Sequence, residues 1–233
     1  RLDKLLASQG TRSRSQIRQL IRSGAVTVNG QTVKKADLQI EPEKDRVTLK
    51  GNPMAIEQHV YFMLHKPAGV VSATRDSRER TVLDLLPPEL QRKGLFPAGR
   101  LDKDTEGFLL ITDDGELAHR LLSPKRHVTK TYEAIIDSPV TQEDIDAFAE
   151  GIRIGQDLCR SAGLQVLEQG PNPKVEILLT EGLYHQIKRM FQARGKKVLY
   201  LKRTKMGPVC LDPSLKKGEA RALTDQEKKL LGI

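Results

Sequence analysis

The first fifty residues carry two short helical patterns followed by short strands. Leucines at positions 2, 5 and 6, and apolar residues at 17, 20 and 21, recur at helical spacing. Ser13 precedes the second stripe and Gln16 stands three residues later, a pair that predicts a capping box. Residues 26–33 place an Asn-Gly pair between two alternating runs, which predicts a hairpin with a type I′ turn. A further strand is predicted at 46–49, and residues 51–53 are typical of a turn that leads into a second domain.

From residue 59 onward, short apolar strands alternate with amphipathic helices. The predicted elements are strands at 60–64, 108–112, 130–136, 175–180 and 198–201, and helices at 116–122, 141–148, 185–194 and 224–231. The strand at 130–136 alternates Thr131 and Glu133 with Tyr132 and Ala134, as half-exposed antiparallel strands do. We therefore predict an α+β fold in two domains. A small N-terminal αα-hairpin domain with its linker (1–58) precedes a domain (59–233) whose mixed, mostly antiparallel sheet is flanked by helices.

Composition narrows the class of protein. Of the 233 residues, 38% are apolar and 30% charged, a balance typical of globular proteins. No apolar run approaches the ~20 residues that a membrane helix needs. The first residues contain no apolar signal core, so we expect a cytoplasmic protein without membrane contact. Cys159 and Cys210 lie far apart without other ligands at metal-binding spacing, so we expect neither a disulfide nor a zinc site.

The positive charge is concentrated at the N-terminus. Residues 1–50 contain eleven Lys and Arg against five Asp and Glu, a net +6 out of +9 for the chain. Three arginines spaced four apart form one row on the second helix, and two lysines follow the hairpin: Arg14, Arg18, Arg22, Lys34 and Lys35. Such a row is either a solvated helix face or a contact for an anionic partner. Two helices and a hairpin with this basic side resemble the RNA-binding domain of the ribosomal-protein-S4 type, which implies that these five side chains bind RNA.

The densest cluster of polar residues and glycines lies at 99–107, directly before an apolar strand. Its acids partly match a calcium-binding loop, because Asp102 and Asp104 stand at loop positions 1 and 3. The match is imperfect, since position 12 is Asp113 instead of glutamate and the flanking segments are not predicted to be helices. The alternative is that the loop presents one carboxylate, Asp102, beside the guanidinium of Arg100 at the mouth of a sheet.

Four motifs resemble those of one enzyme family. Gly-Arg-Leu-Asp at 99–102 is followed by Asp-Thr-x-Gly at 104–107 and a leucine-rich strand. The others are His-Lys-Pro-Ala-Gly at 65–69, Lys-Thr-Tyr at 130–132 and Gly-Leu-Tyr-His-Gln-Ile-Lys-Arg-Met at 182–190. Over nearly its whole length the chain is thus similar to the pseudouridine synthases, in the branch that modifies ribosomal RNA. The resemblance implies isomerisation of a uridine that is flipped out of the RNA stack, with no cofactor and no metal ion.

The family pattern implies roles for residues around Asp102, its catalytic aspartate. Tyr132 matches the active-site tyrosine that packs on the uracil ring and is a candidate base, although by itself it is more typical of a sheet tyrosine that covers the core. Lys188 matches the cation that pairs with the aspartate, and the adjacent Arg189 is the alternative. Because consecutive helix residues project about 100° apart, we expect one of the two to face Asp102 and the other to face RNA phosphate. Ile187 fits the apolar wall beside the base.

Two further residues are predicted to contact the substrate. Arg100 matches the arginine that fills the gap left by the flipped nucleotide, since a guanidinium can stack on bases and pair with phosphate. The alternative is that Arg100 merely neutralises the acidic loop. Lys66, in the His-Lys-Pro-Ala-Gly motif at 65–69, is also predicted to bind substrate. The resemblance leaves open whether Asp102 attacks the ribose or the base.

Residues 123–132 and 185–191 most resemble the family members that act on 16S ribosomal RNA, while relatives acting on 23S ribosomal RNA share the catalytic loop. We expect the partner to be 16S ribosomal RNA in a small-subunit assembly intermediate, with naked RNA left open, and no obligate protein partner. A hypothesis of another class is a non-catalytic RNA-binding assembly factor. The intact Asp102, Tyr132 and Lys188 argue against it.

Overall fold

The computed structural model describes residues 1–10, 12–42, 44–54, 56–123 and 128–233. They form two compact units: Arg1–Val60 with Pro87–Leu95, and Tyr61–Leu86 with Phe96–Ile233. No local pattern marks Pro87–Leu95 as part of the first unit, because its contacts are distant along the chain. The Arg92 guanidinium, for example, donates to the carbonyl oxygens of Glu57 and Gln58, each at 3.1 Å. The domain ranges 1–58 and 59–233 stay a prediction.

The first unit packs two helices on a small antiparallel sheet. Its elements are α1 (Leu2–Ser8), α2 (Arg14–Arg22), β1 (Val26–Val28), β2 (Gln31–Thr32), β3 (Val47–Leu49) and β4 (Asn52–Met54). The strands lie in the order β2-β1-β3-β4. The apolar stripes of both helices meet the inward residues of the strands in one core: Leu2, Leu6, Ile17, Ile21, Val26, Val28, Val47 and Leu49.

Cap and turn residues act as predicted at two places in this unit. The Gln16 N–H donates to Ser13 Oγ (3.2 Å) and the Ser13 N–H donates to Gln16 Oε1 (2.7 Å), which completes the capping box of α2. Asn29 and Gly30 have φ values of 52° and 81°, as a type I′ turn requires. These local signals therefore set the start of α2 and the register of the first hairpin.

The predicted turn at 51–53 is displaced by one residue. Lys50 and Gly51, with φ values of 52° and 81°, form the turn, and Asn52 already begins β4. The segment is therefore a second hairpin of the first unit, and the prediction that it starts the linker is wrong. Pro53 is tolerated in β4 because an edge strand has one side free of ladder hydrogen bonds.

Two arginines of the predicted basic row pair with a buried acid. The fully buried Asp3 carboxylate accepts hydrogen bonds from Arg14 Nε (2.7 Å) and Arg18 Nε (2.9 Å). The bond from Arg14 has the largest effect and, against the effect of burial, holds the pKa of Asp3 far below its usual range. Arg14 and Arg18 keep 44% and 43% of their side-chain surface exposed. The row thus has an internal anionic partner, while Arg22 is exposed and forms no ion pair with the described part of the chain.

The second unit is built on one large mixed sheet and a small ribbon. Its strands are β5 (Tyr61–Lys66), β6 (Phe96–Pro97), β7 (Glu106–Thr112), β8 (Lys130–Ile136), β9 (Arg153–Ile154), β10 (Asp157–Leu158), β11 (Gly163–Glu168), β12 (Lys174–Leu179), β13 (Val198–Met206), β14 (Val209–Cys210) and β15 (Ala220–Ala222). The large sheet has the order β11-β12-β8-β13-β7-β5-β15, with β6 beside β7 and β14 beside β13, while β9 pairs with β10. Its strand pairs are antiparallel except β13 with β7. The mixed, mostly antiparallel sheet predicted from the sequence is confirmed.

Four helices flank this sheet close to the predicted positions: α3 (Gly115–Leu122), α4 (Gln142–Glu150), α5 (Gln186–Ala193) and α6 (Asp225–Leu230). Phe148 of α4 and Phe191 of α5 meet with ring centroids 4.9 Å apart and anchor one apolar core. Leu117 and Leu121 of α3 join Phe108 of β7 in a second core. Within the described ranges, the helices are too short and too polar to cross a bilayer.

Candidate active site

The motif loop between β6 and β7 is anchored by the segment that follows β5. The Leu101 N–H donates to Ser72 Oγ (3.0 Å), and that hydroxyl donates to the Leu101 carbonyl (2.9 Å). The Gly69 N–H donates to the Lys103 carbonyl (2.7 Å). Asp102 therefore lies between two anchored residues, and the backbone fixes the direction of its carboxylate.

Lys66 supports the same loop with its side chain. The side chain is fully buried, and its Nζ donates to the carbonyl oxygens of Pro67 (3.0 Å), Lys103 (3.2 Å) and Thr105 (2.8 Å). Burial lowers the pKa of Lys66 to about 8. The predicted role as a substrate contact does not fit this position, because all three Nζ donors are already bonded to backbone carbonyl oxygens. Lys66 instead positions the loop that carries Asp102.

A close backbone contact explains the glycine that ends the motif. Gly107 has a φ of 107°, and a Cβ at this position would overlap the carbonyl oxygen of Arg203. Here β7 runs parallel to β13, with Gly107 opposite Arg203. A larger residue would push apart two strands that border the site, so the position requires glycine.

The helix α5 brings Lys188 to two carboxylates of the loop. Lys188 Nζ lies 3.0 Å from Asp102 Oδ2 and also donates to Asp104 Oδ1. Burial opposes the charge of this ammonium, but the two hydrogen bonds raise its pKa above the usual value. The Asp104 side chain is 74% exposed, so only partial desolvation opposes its charge, and the bond from Lys188 lowers its pKa. Lys188 and Asp104 are therefore charged at neutral pH, and Asp102 has a cation at hydrogen-bond distance.

The two adjacent basic residues of α5 face in different directions. Lys188 faces Asp102, whereas Arg189 Nη2 donates to the Ile154 carbonyl (3.1 Å) and Nη1 to the Tyr184 carbonyl (3.4 Å). Arg189 thus ties α5 to β9 through the backbone. Its predicted contact with phosphate or substrate stays a prediction, because these two bonds leave other donors of a partly exposed guanidinium free in the described structure.

The loop carboxylates do not converge on a position for calcium. Asp102 and Asp104 share Lys188, while Glu106 accepts hydrogen bonds from Tyr200 Oη (2.8 Å) and Lys217 Nζ (3.0 Å). Across the described ranges, no three side chains of His, Cys, Asp or Glu come together as metal ligands. The calcium-loop alternative is therefore not supported by the geometry.

Asp102 borders a pocket of about 510 Å³, a size typical of small-molecule sites. Four other residues predicted to act on the substrate line the same pocket: Arg100, Tyr132, Ile187 and Lys188. Tyr132 on β8 and Ile187 on α5 give it an apolar wall. Arg100 is exposed and forms no ion pair in the described part of the chain, while the acids of the loop pair with Lys188. The alternative that Arg100 neutralises the loop is therefore unsupported.

Sequence reasoning missed several residues at this pocket. His185 Nε2 lies 3.6 Å from Asp102 Oδ1, and its ring stacks on Tyr184 at 3.8 Å. Two buried cations, Lys130 and Arg203, also line the pocket. The available signal for Arg203 was its alternation with Leu201, since residues two apart on a strand share one face. Within the predicted motif at 123–132, residues 124–127 lie outside the described residues.

Comparison with known proteins agrees with the motifs. Residues 60–193 match the family model described as RNA pseudouridylate synthase, and residues 1–47 match that of the S4 domain. The chain is 48% identical over 233 residues to the RNA pseudouridine synthase YtzG of Bacillus subtilis (strain 168), covering 99% of this chain and 98% of the relative. It is 43% identical over 231 residues to ribosomal small subunit pseudouridine synthase A of Escherichia coli (strain K12), covering 97% of each. A crystal structure of a pseudouridylate synthase matches with a TM-score of 0.69 at 40% identity, covering 99% of both chains.

Proposed function

This chain belongs to the RNA pseudouridylate synthase family, and we propose that it converts one uridine of 16S ribosomal RNA to pseudouridine with Asp102 as the catalytic carboxylate. One observation carries the proposal: the Asp102 carboxylate lies 3.0 Å from Lys188 Nζ on the wall of a pocket with room for a nucleotide. The reaction takes place in the cytoplasm on an assembly intermediate of the small ribosomal subunit.

The reaction is an isomerisation in which no atom is gained or lost. The N1–C1′ bond of uridine breaks, the uracil ring turns, and a C5–C1′ bond forms, while C5 loses a proton and N1 gains one. A carboxylate that attacks the ribose or the base divides this change into easier steps. Asp102 suits this role because its side chain is 25% exposed and borders the pocket, and because Lys188 pairs with the carboxylate in the charged form that can attack.

The pocket walls account for the other roles. Tyr132 and Ile187 enclose the uracil ring and exclude water, and the Tyr132 hydroxyl is the candidate base for the C5 proton. A target uridine in folded RNA is stacked, and turning it out costs a few kcal/mol. Arg100 at the pocket rim compensates for part of this cost, because an exposed guanidinium can stack in the gap and pair with phosphate.

The choice of 16S ribosomal RNA rests on the relative named ribosomal small subunit pseudouridine synthase A. The test is to incubate the purified protein with 16S transcripts, 23S transcripts and small-subunit assembly intermediates, and then to map pseudouridines. We expect one new pseudouridine in 16S ribosomal RNA. A new pseudouridine in 23S ribosomal RNA alone would identify 23S ribosomal RNA, and not 16S, as the substrate. Tight binding without any pseudouridine would favour the non-catalytic assembly factor.

The basic residues of the first unit are proposed to bind RNA phosphates. Lys34 and Lys35 are exposed beyond β2, and Arg22 is exposed at the end of α2. Arg14 and Arg18 also keep exposed surface beside Asp3, so they can contribute positive charge to RNA binding. Phosphate contacts give affinity that falls as salt displaces the released counterions.

Replacing Lys34 and Lys35 together with glutamine is expected to weaken binding to 16S ribosomal RNA. The slope of log affinity against log salt should fall by about 0.7–0.9 for each RNA phosphate that the variant no longer neutralises. Filter binding across a salt series measures it. Lys228→Gln with Lys229→Gln is the matched control, an adjacent lysine pair in α6. An unchanged slope in the first variant, or an equally reduced slope in both, would contradict the assigned RNA-binding surface.

A further inference from the structure

Arg203 is a buried cation with incomplete hydrogen bonding. Its side chain is 2% exposed, and its Nε donates to the carbonyl oxygen of Phe108 at 2.8 Å. Its Nη2 has no hydrogen-bond partner among the residues that the structure describes. Buried donors are costly unless an acceptor reaches them, and most in folded proteins are bonded. This N–H group therefore indicates an acceptor supplied by a ligand.

The position of Arg203 shows where such a ligand would lie. Arg203 lines the pocket of Asp102, and its partner across the β8–β13 register is Tyr132. Lys130, two residues before Tyr132, is 7% exposed and lines the same pocket. Burial and the charge of Arg203 lower the pKa of Lys130. Two positive groups therefore stand beside the tyrosine that is proposed to enclose the base.

Glu181, an acidic residue that also lines the pocket, is already hydrogen-bonded within the protein. Glu181 Oε1 accepts hydrogen bonds from Gln186 Nε2 (2.6 Å) and from the Arg160 N–H (2.9 Å). Its carboxylate also lies near the Arg160 guanidinium, at 3.9 Å. Glu181 thus does not form an ion pair with Lys130 or Arg203 in the described structure. The charge of Glu181 acts on Lys130 from a distance, but no described carboxylate forms an ion pair with Lys130 or Arg203, so both can act on a ligand.

The chemistry of the pocket favours a carbonyl oxygen over a phosphate. Its apolar residues Tyr132, Ile187 and Leu201 suit a flat ring, and the Asp102 carboxylate would repel a phosphate. Uracil carries two exocyclic oxygens, O2 and O4, which accept hydrogen bonds. While the ring is detached from ribose, the electron pair of the broken N1–C1′ bond adds negative charge that both oxygens share. A fixed buried cation stabilises such charge without having to reorganise.

We propose that Arg203 donates to an exocyclic oxygen of the uracil ring during the reaction, with Lys130 adding positive charge on the same wall. The inference rests on the proposed function and extends it to recognition of the base. The hydrogen bond from Arg203 Nε to the Phe108 carbonyl oxygen holds this guanidinium in place. If O4 is the oxygen that is bound, cytosine is rejected because it has an amino group at that position.

The test uses 16S transcripts in which the target uridine, once mapped, is replaced by 2-thiouridine or 4-thiouridine. Sulfur is a poor acceptor, so one of the two replacements should slow single-turnover isomerisation by wild-type protein on the order of tenfold, the scale of one hydrogen bond to a charged group. In Arg203→Met this sensitivity should disappear. Lys205→Met, which removes an exposed cation from the same strand, should keep it.

Wild-type rates that are equal on uridine, 2-thiouridine and 4-thiouridine would overturn the proposal, and this result does not depend on the folding of any variant. An undiminished sulfur effect in Arg203→Met would overturn it as well. Arg203→Lys retains a donor and should keep part of the effect. Absence of pseudouridine even from the unmodified transcript would instead refute the proposed function, so the two failures are distinguishable.

Discussion

Replacing Asp102 with asparagine is expected to lower the single-turnover rate of pseudouridine formation on the order of 10⁴-fold, the scale found when an enzyme loses its nucleophile or that nucleophile's partner. Asparagine has nearly the same shape as aspartate and keeps a side-chain oxygen. That oxygen can still accept a hydrogen bond from Lys188 Nζ, which lies 3.0 Å from the carboxylate in the wild-type protein. The fold and the affinity for RNA should therefore persist while the attacking carboxylate is removed. Pseudouridine mapping after reaction with excess enzyme measures the rate.

Asp104→Asn is the matched control for this variant. Asp104 also accepts a hydrogen bond from Lys188, but its side chain is 74% exposed, and the pocket wall in the described structure includes Asp102 and not Asp104. The same change of charge two residues away should therefore have a far smaller effect. Equal reductions in the rate of the two variants would show that the rate depends on the ion pairs with Lys188 in general, and would contradict a catalytic role specific to Asp102.

Replacing Lys188 with methionine is expected to lower the same rate on the order of 10²-fold. The variant leaves the carboxylates of Asp102 and Asp104 without the cation that lies between them. The pKa of Lys188 is raised in the folded protein. The ion pair is therefore complete below the ordinary lysine pKa of 10.5, and it is lost only as the pH rises through the higher pKa of the folded state. The reduction in rate should thus be constant from pH 7 to pH 9, which single-turnover assays across that range can check.

Arg189→Met separates this effect from a general loss of positive charge on α5. Arg189 donates hydrogen bonds to the Ile154 and Tyr184 carbonyl oxygens. Its removal should therefore lower the melting temperature and have little effect on the rate of pseudouridine formation. If Arg189→Met instead slowed the reaction as much as Lys188→Met, the assignment of Lys188 as the partner of Asp102 would be wrong.

Secondary structure was predictable wherever local signals are strong. The capping box of Ser13 and Gln16 and the Asn29-Gly30 turn depend on neighbours in sequence, and both formed as expected. The strand β11 was missed because four of its six residues are exposed and its alternation of apolar residues is limited to Leu164 and Val166. The place of Pro87–Leu95 in the first unit could not be predicted for a different reason: its contacts join residues far apart in sequence.

The predicted site followed from the motifs, but the functions of individual cations did not. Asp102, Tyr132, Ile187 and Lys188 meet at one pocket as the spacing and resemblance implied. Lys66 is of the same chemical type as Lys188, yet it is buried and bonded to three carbonyl oxygens. Which basic side chain faces RNA, an internal acid or the backbone is decided by tertiary packing, which no single motif encodes.

The contacts of the basic row on α2 are likewise decided by tertiary packing and not by its spacing in the sequence. Its spacing left open a solvated helix face or an anionic partner, and the structure supplies such a partner for Arg14 and Arg18 in Asp3, from the preceding helix. Helical periodicity places side chains on one face, but it carries no information about a buried acid on another helix. The row can therefore stabilise the first unit and contribute to RNA binding at once.

Tritium release from 16S ribosomal RNA labelled at uridine C5 tests the central claim most directly, because the C5–H bond breaks in pseudouridine formation and in no binding step. We predict that wild-type protein in excess releases one equivalent of tritium per RNA molecule. Protein that binds the labelled RNA but releases no tritium would contradict the claim that Asp102 and its pocket isomerise uridine.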